Sequence, residues 1–197
     1  MTVGLFDLPP IDASPTVTFV CTGNICRSAF AEKALSHALA HGSNPWALTV
    51  TSAGTQGLDA HPMDTPVAQL ARERGYSDSH VSQRVDEAVI ATNGLFLAMT
   101  AEHAAALLRW DPAATHRVYT LAEFARCVEQ AAPRLRAGSD SLGGLLTQLR
   151  SVRTGAARHD EDIEDPFRKP ADVHARVAEI IDRHIATIAP ALSAQLA

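Results

Sequence analysis

The chain has 197 residues, a formal net charge of -5, 46% hydrophobic and 20% charged residues, which suits a single domain with one core. The acidic balance argues against a nucleic-acid partner, because phosphate backbones are bound by a surplus of lysine and arginine. Three cysteines do not make a secreted disulfide framework, and the sequence contains neither a signal-peptide pattern nor the roughly 20 apolar residues of a membrane span. We therefore expect a cytoplasmic protein with no membrane partner.

Strand and helix patterns alternate along the chain after residues 1–15, which lack periodicity and are predicted to form a flexible arm. Buried strands are predicted at residues 16–20, 48–51, 95–99 and 117–120. Helices are predicted over residues 28–41, about 62–75, 101–109, after 120, near 142–152 and from about 170 onward. A mixed segment of loops surrounds the helix predicted near 142–152, so one domain covering residues 16–197 is expected.

This alternation predicts a four-stranded parallel sheet with helices on both faces, the doubly wound α/β architecture. In such sheets ligands bind beyond the carboxyl ends of the strands, at the point where the strand order reverses. Cys21 follows the first predicted strand directly. The fold argument therefore predicts a binding site at Cys21 before any motif is considered.

Residues 21–28, Cys-Thr-Gly-Asn-Ile-Cys-Arg-Ser, connect the first strand to the first helix. Five residues between Cys21 and Arg27 let the backbone curl around a tetrahedral anion, and Gly23 is expected to supply a left-handed conformation. The helix N-terminus adds unpaired N–H groups and its positive dipole end, while Arg27 can present two parallel donors to phosphate oxygens. The pattern predicts a phosphate-binding loop comprising Cys21, Thr22, Gly23, Asn24, Ile25, Cys26, Arg27 and Ser28.

Cys21 is the predicted nucleophile of this loop. A thiol at a helix N-terminus beside an arginine is favoured as the thiolate, which can attack a bound phosphoryl group, and Ser28 is expected to donate its hydroxyl to the sulfur. The competing interpretation is a small buried side chain at a strand end. Cys26 is either an apolar filler or the partner of Cys21 in a reversible disulfide, and Cys127 is predicted to lie in the core.

Three separated motifs resemble those of the low-molecular-weight protein tyrosine phosphatases, in the same order along the chain. They are the loop at residues 20–28, the run Ser52-Ala53-Gly54-Thr55 and the run Asp165-Pro166-Phe167. The likeness covers about residues 16–110 and 161–190, with a longer insertion at about 133–160. It implies a flavodoxin-like fold and a cofactor-free hydrolase that dephosphorylates phosphotyrosine through a phosphocysteine intermediate.

The resemblance also assigns roles outside the loop. Asp165, one of five acidic residues between 160 and 165, is implied to be the general acid that protonates the tyrosine leaving group. The rest of that acidic run is expected to be a solvated face. Two further groups are implied: walls of the substrate pocket at Leu58 and Phe167, and loop supports at Ser52 and His80 together with Asn24.

The implied partners are phosphotyrosine-containing proteins, which in bacterial relatives are often tyrosine kinases of polysaccharide export, with phosphate or vanadate as ligands. Two alternatives stay open. An arsenate reductase of the same fold would need two further cysteines close together after the third strand. The sequence after that strand contains only Cys127. A non-catalytic phosphotyrosine-binding relative would need neither nucleophile nor acid. No metal is predicted, because metal-ligand spacing is lacking among the histidines expected at the surface, His61, His103, His116 and His159.

Overall fold

Four parallel strands form the central sheet, in the spatial order β2-β1-β3-β4. The computed structural model describes residues 14–58, 60–92, 94–133, 135, 139–154 and 159–193, so most of the predicted arm lies outside the described residues. The strands are β1 (Thr16–Cys21), β2 (Thr49–Gly54), β3 (Leu95–Ala98) and β4 (Val118–Thr120). The predicted four-stranded parallel sheet is confirmed.

Helices connect and cover these strands. Those in the described ranges are α1 (Arg27–His41), α2 (Thr65–Glu73), α3 (Glu87–Ala91), α4 (Ala101–Trp110), α5 (Leu121–Ala131), α6 (Leu142–Leu149) and α7 (Ala171–Leu192). Short 3-10 turns occupy Pro112–His116 and His159–Glu161. None of the described helices is both long enough and apolar enough to cross a membrane.

The sequence prediction differs from the structure at three helices. The five-residue α3 was missed. α2 begins at Thr65 instead of about 62, because the backbone before it is extended and the Asp64 amide donates to the carbonyl of Ile25 in the predicted loop. α6 ends at Leu149, three residues before the predicted end, and the chain then turns so that Arg153 reaches the buried carboxylate of Glu123 on α5 (2.8 Å).

The sheet carries one hydrophobic cluster on each face. Alternate residues of β1 point to opposite faces, so Val17 and Phe19 join the larger cluster and Val20 joins the smaller one. α1, α2, α5, α6 and α7 contribute to the larger cluster, whereas α3 and α4 contribute to the smaller one. Ile181 and Ile185 anchor α7, and each fully buried side chain of this size stabilises the fold by about 1.5–3 kcal/mol.

β1 lies between β2 and β3, so the chain winds to one side after β1 and to the other side after β2. The carboxyl end of β1 is therefore the switch point at which ligands bind in sheets of this kind. Cys21 is the last residue of β1, and α1 begins at Arg27. The fold thus places the predicted loop at the position where an open parallel sheet holds its ligand.

Candidate active site

The backbone of the predicted loop is held from outside through its carbonyl groups. Every main-chain carbonyl from Cys21 to Ile25 accepts a hydrogen bond from a neighbouring segment. The donors, in order along the loop, are Thr55 N (2.8 Å), Gln56 N (2.9 Å), Leu58 N (3.4 Å), His80 Nε2 (2.6 Å) and Asp64 N (2.9 Å). The amides of residues 23–26 donate to no carbonyl within the described ranges. These main-chain amides are therefore available to donate hydrogen bonds to an anion.

Asn24 is the residue that makes the loop turn, because its φ of 56° lies in the left-handed region. The prediction that Gly23 would supply this conformation is wrong, since Gly23 has no positive φ. Asn24 tolerates the conformation because its side chain is fully buried and bonded: its Oδ1 accepts from the amide of Gln83 (2.8 Å). That bond fixes the amide group, so Nδ2 must face the opposite way.

The Asn24 Nδ2 group donates to two serine hydroxyls, Ser28 Oγ (3.0 Å) and Ser52 Oγ (2.8 Å). Because Ser28 already accepts from Asn24, its own proton is available for Cys21 Sγ, which lies 3.0 Å away. The direction of this chain is set at its start, because the Gln83 main-chain amide can only donate and therefore bonds to Asn24 Oδ1. The geometry therefore matches the predicted contact from Ser28 to the sulfur.

The other predicted supports lie behind the loop. Ser52 Oγ donates to Glu32 Oε2 on α1 (2.5 Å), and His80 donates through Nε2 to the Asn24 carbonyl. Burial lowers the pKa of His80 from its ordinary value, so the neutral ring with its proton on Nε2 is the form that makes this bond. Gln83 and Glu32, which complete the network, were missed by the sequence reasoning.

Arg27 joins the loop to the acidic segment. Its side chain is 4% exposed, its Nη1 donates to the carbonyl of Ile163 (2.9 Å), and its Nη2 lies 3.2 Å from Asp165 Oδ1. Its Nε is buried and has no partner among the described residues. The guanidinium is thus fixed beside the thiol-bearing loop and contacts the acidic segment at Ile163 and Asp165.

Asp165 is the member of the acidic run that lines the pocket of Cys21. The expectation that the other acidic residues form a solvated face is wrong for Glu161 and Asp162, which are partly buried, whereas Glu164 is exposed as expected. Each of these three residues contacts a different helix. The contacts are Glu161 with Arg126 on α5 (3.1 Å), Asp162 with the Ala101 amide of α4 (2.7 Å) and Glu164 with Arg176 on α7 (2.8 Å). Asp165 is therefore presented on an anchored segment, half exposed at 53%.

The pocket at Cys21 has a volume of about 210 Å³. Its floor contains Cys21 and Arg27, and its rim contains Ile25 and the two predicted walls, Leu58 and Phe167. Leu58 is 43% exposed and Phe167 is 40% exposed, so both present apolar surface at the entrance. The pocket thus combines a donor-rich floor with an apolar entrance.

One histidine near the loop lies in a different environment from the one predicted. His103 is buried, not at the surface as predicted: its Nε2 lies 2.9 Å from Thr22 Oγ1 and its Nδ1 lies 2.8 Å from Thr100 Oγ1. Burial, together with the nearby Arg27 charge, lowers the pKa of His103 to about 4. The one-turn spacing from His103 to the apolar Leu107 on α4 was the signal that this histidine faces inward.

The remaining thiols and histidines add no second reactive centre in the described ranges. Burial, reinforced by the charge of Asp64, raises the pKa of the Cys26 thiol well above its ordinary range. Cys26 therefore fits the apolar-filler interpretation, and Cys127 lies in the core as predicted. Both thiols of the loop are free. No three histidine, cysteine or acidic side chains of the described residues are grouped so that they would hold a metal ion.

A flavodoxin-like sheet with a thiol and an arginine in an anion loop at its switch point defines a class of small α/β phosphatases. Residues 16–137 match the family described as low molecular weight phosphotyrosine protein phosphatase, and the chain belongs to this family. The match ends before the acidic segment, so it does not include Asp165.

Individual relatives agree with this assignment. The low molecular weight protein-tyrosine-phosphatase Etp of Escherichia coli K12 is 28% identical over 169 residues, which cover 85% of this chain and 88% of Etp. Low molecular weight protein-tyrosine phosphatase A of Mycobacterium tuberculosis H37Rv is 39% identical over 109 residues, or 55% of this chain and 66% of that protein. The resemblance seen in the sequence is thereby confirmed.

Solved structures share the fold. The YwlE arginine phosphatase from Geobacillus stearothermophilus has a TM-score of 0.67 at 24% identity, over 90% of this chain and 92% of YwlE. The Erwinia amylovora tyrosine phosphatase AmsI has a TM-score of 0.67 at 21% identity, over 91% of this chain and 94% of AmsI. At these identities the likeness speaks for the fold, and the two names differ in the amino acid that carries the phosphate.

Proposed function

We propose that the protein hydrolyses phosphotyrosine in proteins through a phosphocysteine intermediate, with Cys21 as nucleophile, Arg27 as phosphate clamp and Asp165 as general acid. The observation that carries the proposal is the convergence of these three side chains on one pocket whose floor is a loop with outward-bonded carbonyls. Family membership supports the same activity.

In the first step the Cys21 thiolate attacks phosphorus, which forms an S–P bond as the bond from phosphorus to the tyrosine oxygen breaks. The phenolate leaving group is strongly basic, since phenols of this type have pKa values near 10. Asp165 transfers its proton to that oxygen as the bond breaks. The loop amides and Arg27 bind the three equatorial oxygens, where charge accumulates in the transition state.

In the second step a water molecule attacks the phosphocysteine. Asp165, now a carboxylate, accepts a proton from the water, the new P–O bond forms, and the S–P bond breaks to release phosphate and the Cys21 thiolate. The Ser28 hydroxyl, 3.0 Å from the sulfur, stabilises the negative charge that returns to it. Both proton transfers thus use one carboxyl group, and the enzyme returns to its starting state.

The entrance of the pocket favours an aromatic phosphate ester over a phosphorylated guanidinium group. Leu58, Phe167 and Ile25 present apolar surface to the substrate, which suits a phenyl ring. A guanidinium needs several acceptors around it, and Asp165 is the one carboxylate of the described residues that lines this pocket. We therefore assign tyrosine as the phosphate-bearing residue, located in cytoplasmic proteins such as a bacterial tyrosine kinase.

The alternatives that were left open are less well supported. An arsenate reductase relay would need accessible thiols beyond the loop, whereas Cys127 is fully buried within α5. A purely binding relative would have no use for an acid held over its thiol. The two alternatives make different predictions: arsenate-dependent thiol oxidation in one case, and phosphate release at the level of buffer in the other.

The test is turnover of three substrates, phosphotyrosine, phosphoarginine and arsenate, by the wild type and by Cys21→Ser. We expect phosphotyrosine to be the best substrate, with kcat/KM at least about tenfold above that for phosphoarginine, a difference of about 1.4 kcal/mol. Cys21→Ser should be inactive yet still bind phosphate and vanadate, because the amides and Arg27 remain. Residual activity of Cys21→Ser above a few per cent, or a preference for phosphoarginine, would contradict the proposal.

A further inference from the structure

A second groove lies beside the catalytic pocket. It has a volume of about 340 Å³ and runs between α4 and the turn that follows β2. Thr22 and Gln56 line both the groove and the catalytic pocket. A hydrogen bond between Thr22 Oγ1 and His103 Nε2 (2.9 Å) holds the Thr22 side chain between the two cavities. The groove therefore adjoins the catalytic pocket at the two shared residues, Thr22 and Gln56.

The groove offers both polar and apolar contacts. Trp110, at the end of α4, is 61% exposed, which is unusual for so large an apolar side chain. Gln56 and Arg109 are exposed, and their side chains form no hydrogen bond or ion pair with the described residues. Such free amide and guanidinium groups suit the main-chain carbonyls of a peptide. Tryptophan beside free donors is a combination typical of peptide-binding surfaces.

We propose that this groove binds the polypeptide segment adjacent to the phosphotyrosine, with an apolar side chain of that segment packed against Trp110. The proposal rests on the proposed function. The shared walls at Thr22 and Gln56 place the groove beside the pocket that would hold the phosphotyrosine. α4 has ten residues and is about 15 Å long. About four or five extended residues cover that distance at roughly 3.3 Å each. The structure thus assigns to α4 a role in choosing among phosphotyrosine proteins.

The test compares one peptide with one small substrate. The peptide carries a central phosphotyrosine with about five residues on each side, leucine alternating with serine, which matches the length of the groove. The small substrate is phenyl phosphate, which reaches the catalytic pocket alone. Trp110→Ala should lower kcat/KM for the peptide by at least about fivefold, as truncation of a contacting tryptophan commonly does, and should leave phenyl phosphate unchanged.

A matched pair of variants on α4 provides the control. Ala106 lines the groove, whereas its neighbour Ala105 is exposed and does not. Ala106→Arg should fill the groove and lower peptide turnover selectively, while Ala105→Arg, with the same added charge, should have no effect on either substrate. Equal kinetics of the two arginine variants on the peptide, or an unchanged Trp110→Ala, would overturn the assignment. If the wild type does not hydrolyse phenyl phosphate at all, the proposed function itself is refuted.

Discussion

Replacing Asp165 with asparagine separates the proton transfer from every other property of the site. The amide keeps the oxygen that faces Arg27 Nη2 at 3.2 Å, so the clamp and the acidic segment should stay in place. What disappears is the proton for the leaving oxygen, a contribution of about 10²–10⁴ in rate, or roughly 3–5 kcal/mol. We expect kcat for phosphotyrosine and phenyl phosphate to fall by that factor, with no rise in KM.

The assay compares leaving groups of different basicity. Phenyl phosphate needs the proton, whereas para-nitrophenyl phosphate, whose leaving group is much more acidic, should lose less in the first step. A burst of nitrophenol followed by slow turnover is expected if Asp165 also acts as the base in the second step. The basic limb of the pH–rate profile should become flat, because that limb reports loss of the acidic proton.

Asp162→Asn is the matched control. Asp162 belongs to the same acidic run, but it accepts from the Ala101 amide (2.7 Å) and does not line the pocket. An asparagine oxygen can keep that bond, so both substrates should react at near wild-type rates. If Asp165→Asn lowers the two substrates equally and leaves the pH profile unchanged, or if Asp162→Asn reproduces its effect, Asp165 is not the acid.

Three further predictions follow from the loop and its neighbours. Arg27→Lys should lower kcat/KM for phosphotyrosine well beyond about tenfold although the charge is kept, because one ammonium cannot match two phosphoryl oxygens; a loss within about threefold, roughly 0.7 kcal/mol, would contradict the clamp. Gly54→Ala should lower both activity and melting temperature, since a Cβ there would overlap the carbonyl of Thr22, whereas Gly144→Ala, where a Cβ would find ordinary contacts, should leave both nearly unchanged. The pKa of His103 is about 4 in the folded protein and 6.5 as the ordinary value, so the unfolded chain gains the proton first as the pH falls. The free energy of unfolding should therefore drop between about pH 6.5 and about pH 4, by on the order of 3 kcal/mol, and His103→Gln should flatten that part of a denaturation series measured at several pH values.

The elements that could be predicted are those whose signals are local. Short apolar runs predicted all four strands. The loop from Cys21 to Ser28 could be predicted because its residues are consecutive and lie between a strand and a helix. Asp165 was selected from the five acidic residues by the stiff Pro166 that follows it and by family resemblance. The catalytic roles of Cys21, Arg27 and Asp165 stay predictions until the variants are measured.

The parts that could not be predicted depend on which distant segments meet. The Gln83 amide fixes Asn24 from a loop without periodicity, and Glu32 reaches Ser52 from a helix whose pattern says only that the position is half-buried. The partners of the acidic run belong to three different helices. A single sequence gives the side chains but does not show which of them contact each other. These contacts could therefore be identified only in the structure.

The distance along the chain between the thiol and the acid also has a consequence for the newly made protein. A nascent chain that has left the ribosome only as far as α5 contains Cys21 and Arg27 but lacks Asp165 and α7. In the complete fold α7 covers α1 and α5. We expect such a nascent chain to lack turnover and to expose its apolar face to chaperones. Stalled ribosome complexes of increasing length should gain phenyl phosphatase activity only once α7 has cleared the exit tunnel. Synthesis of α7 would then determine when the chain becomes catalytically active.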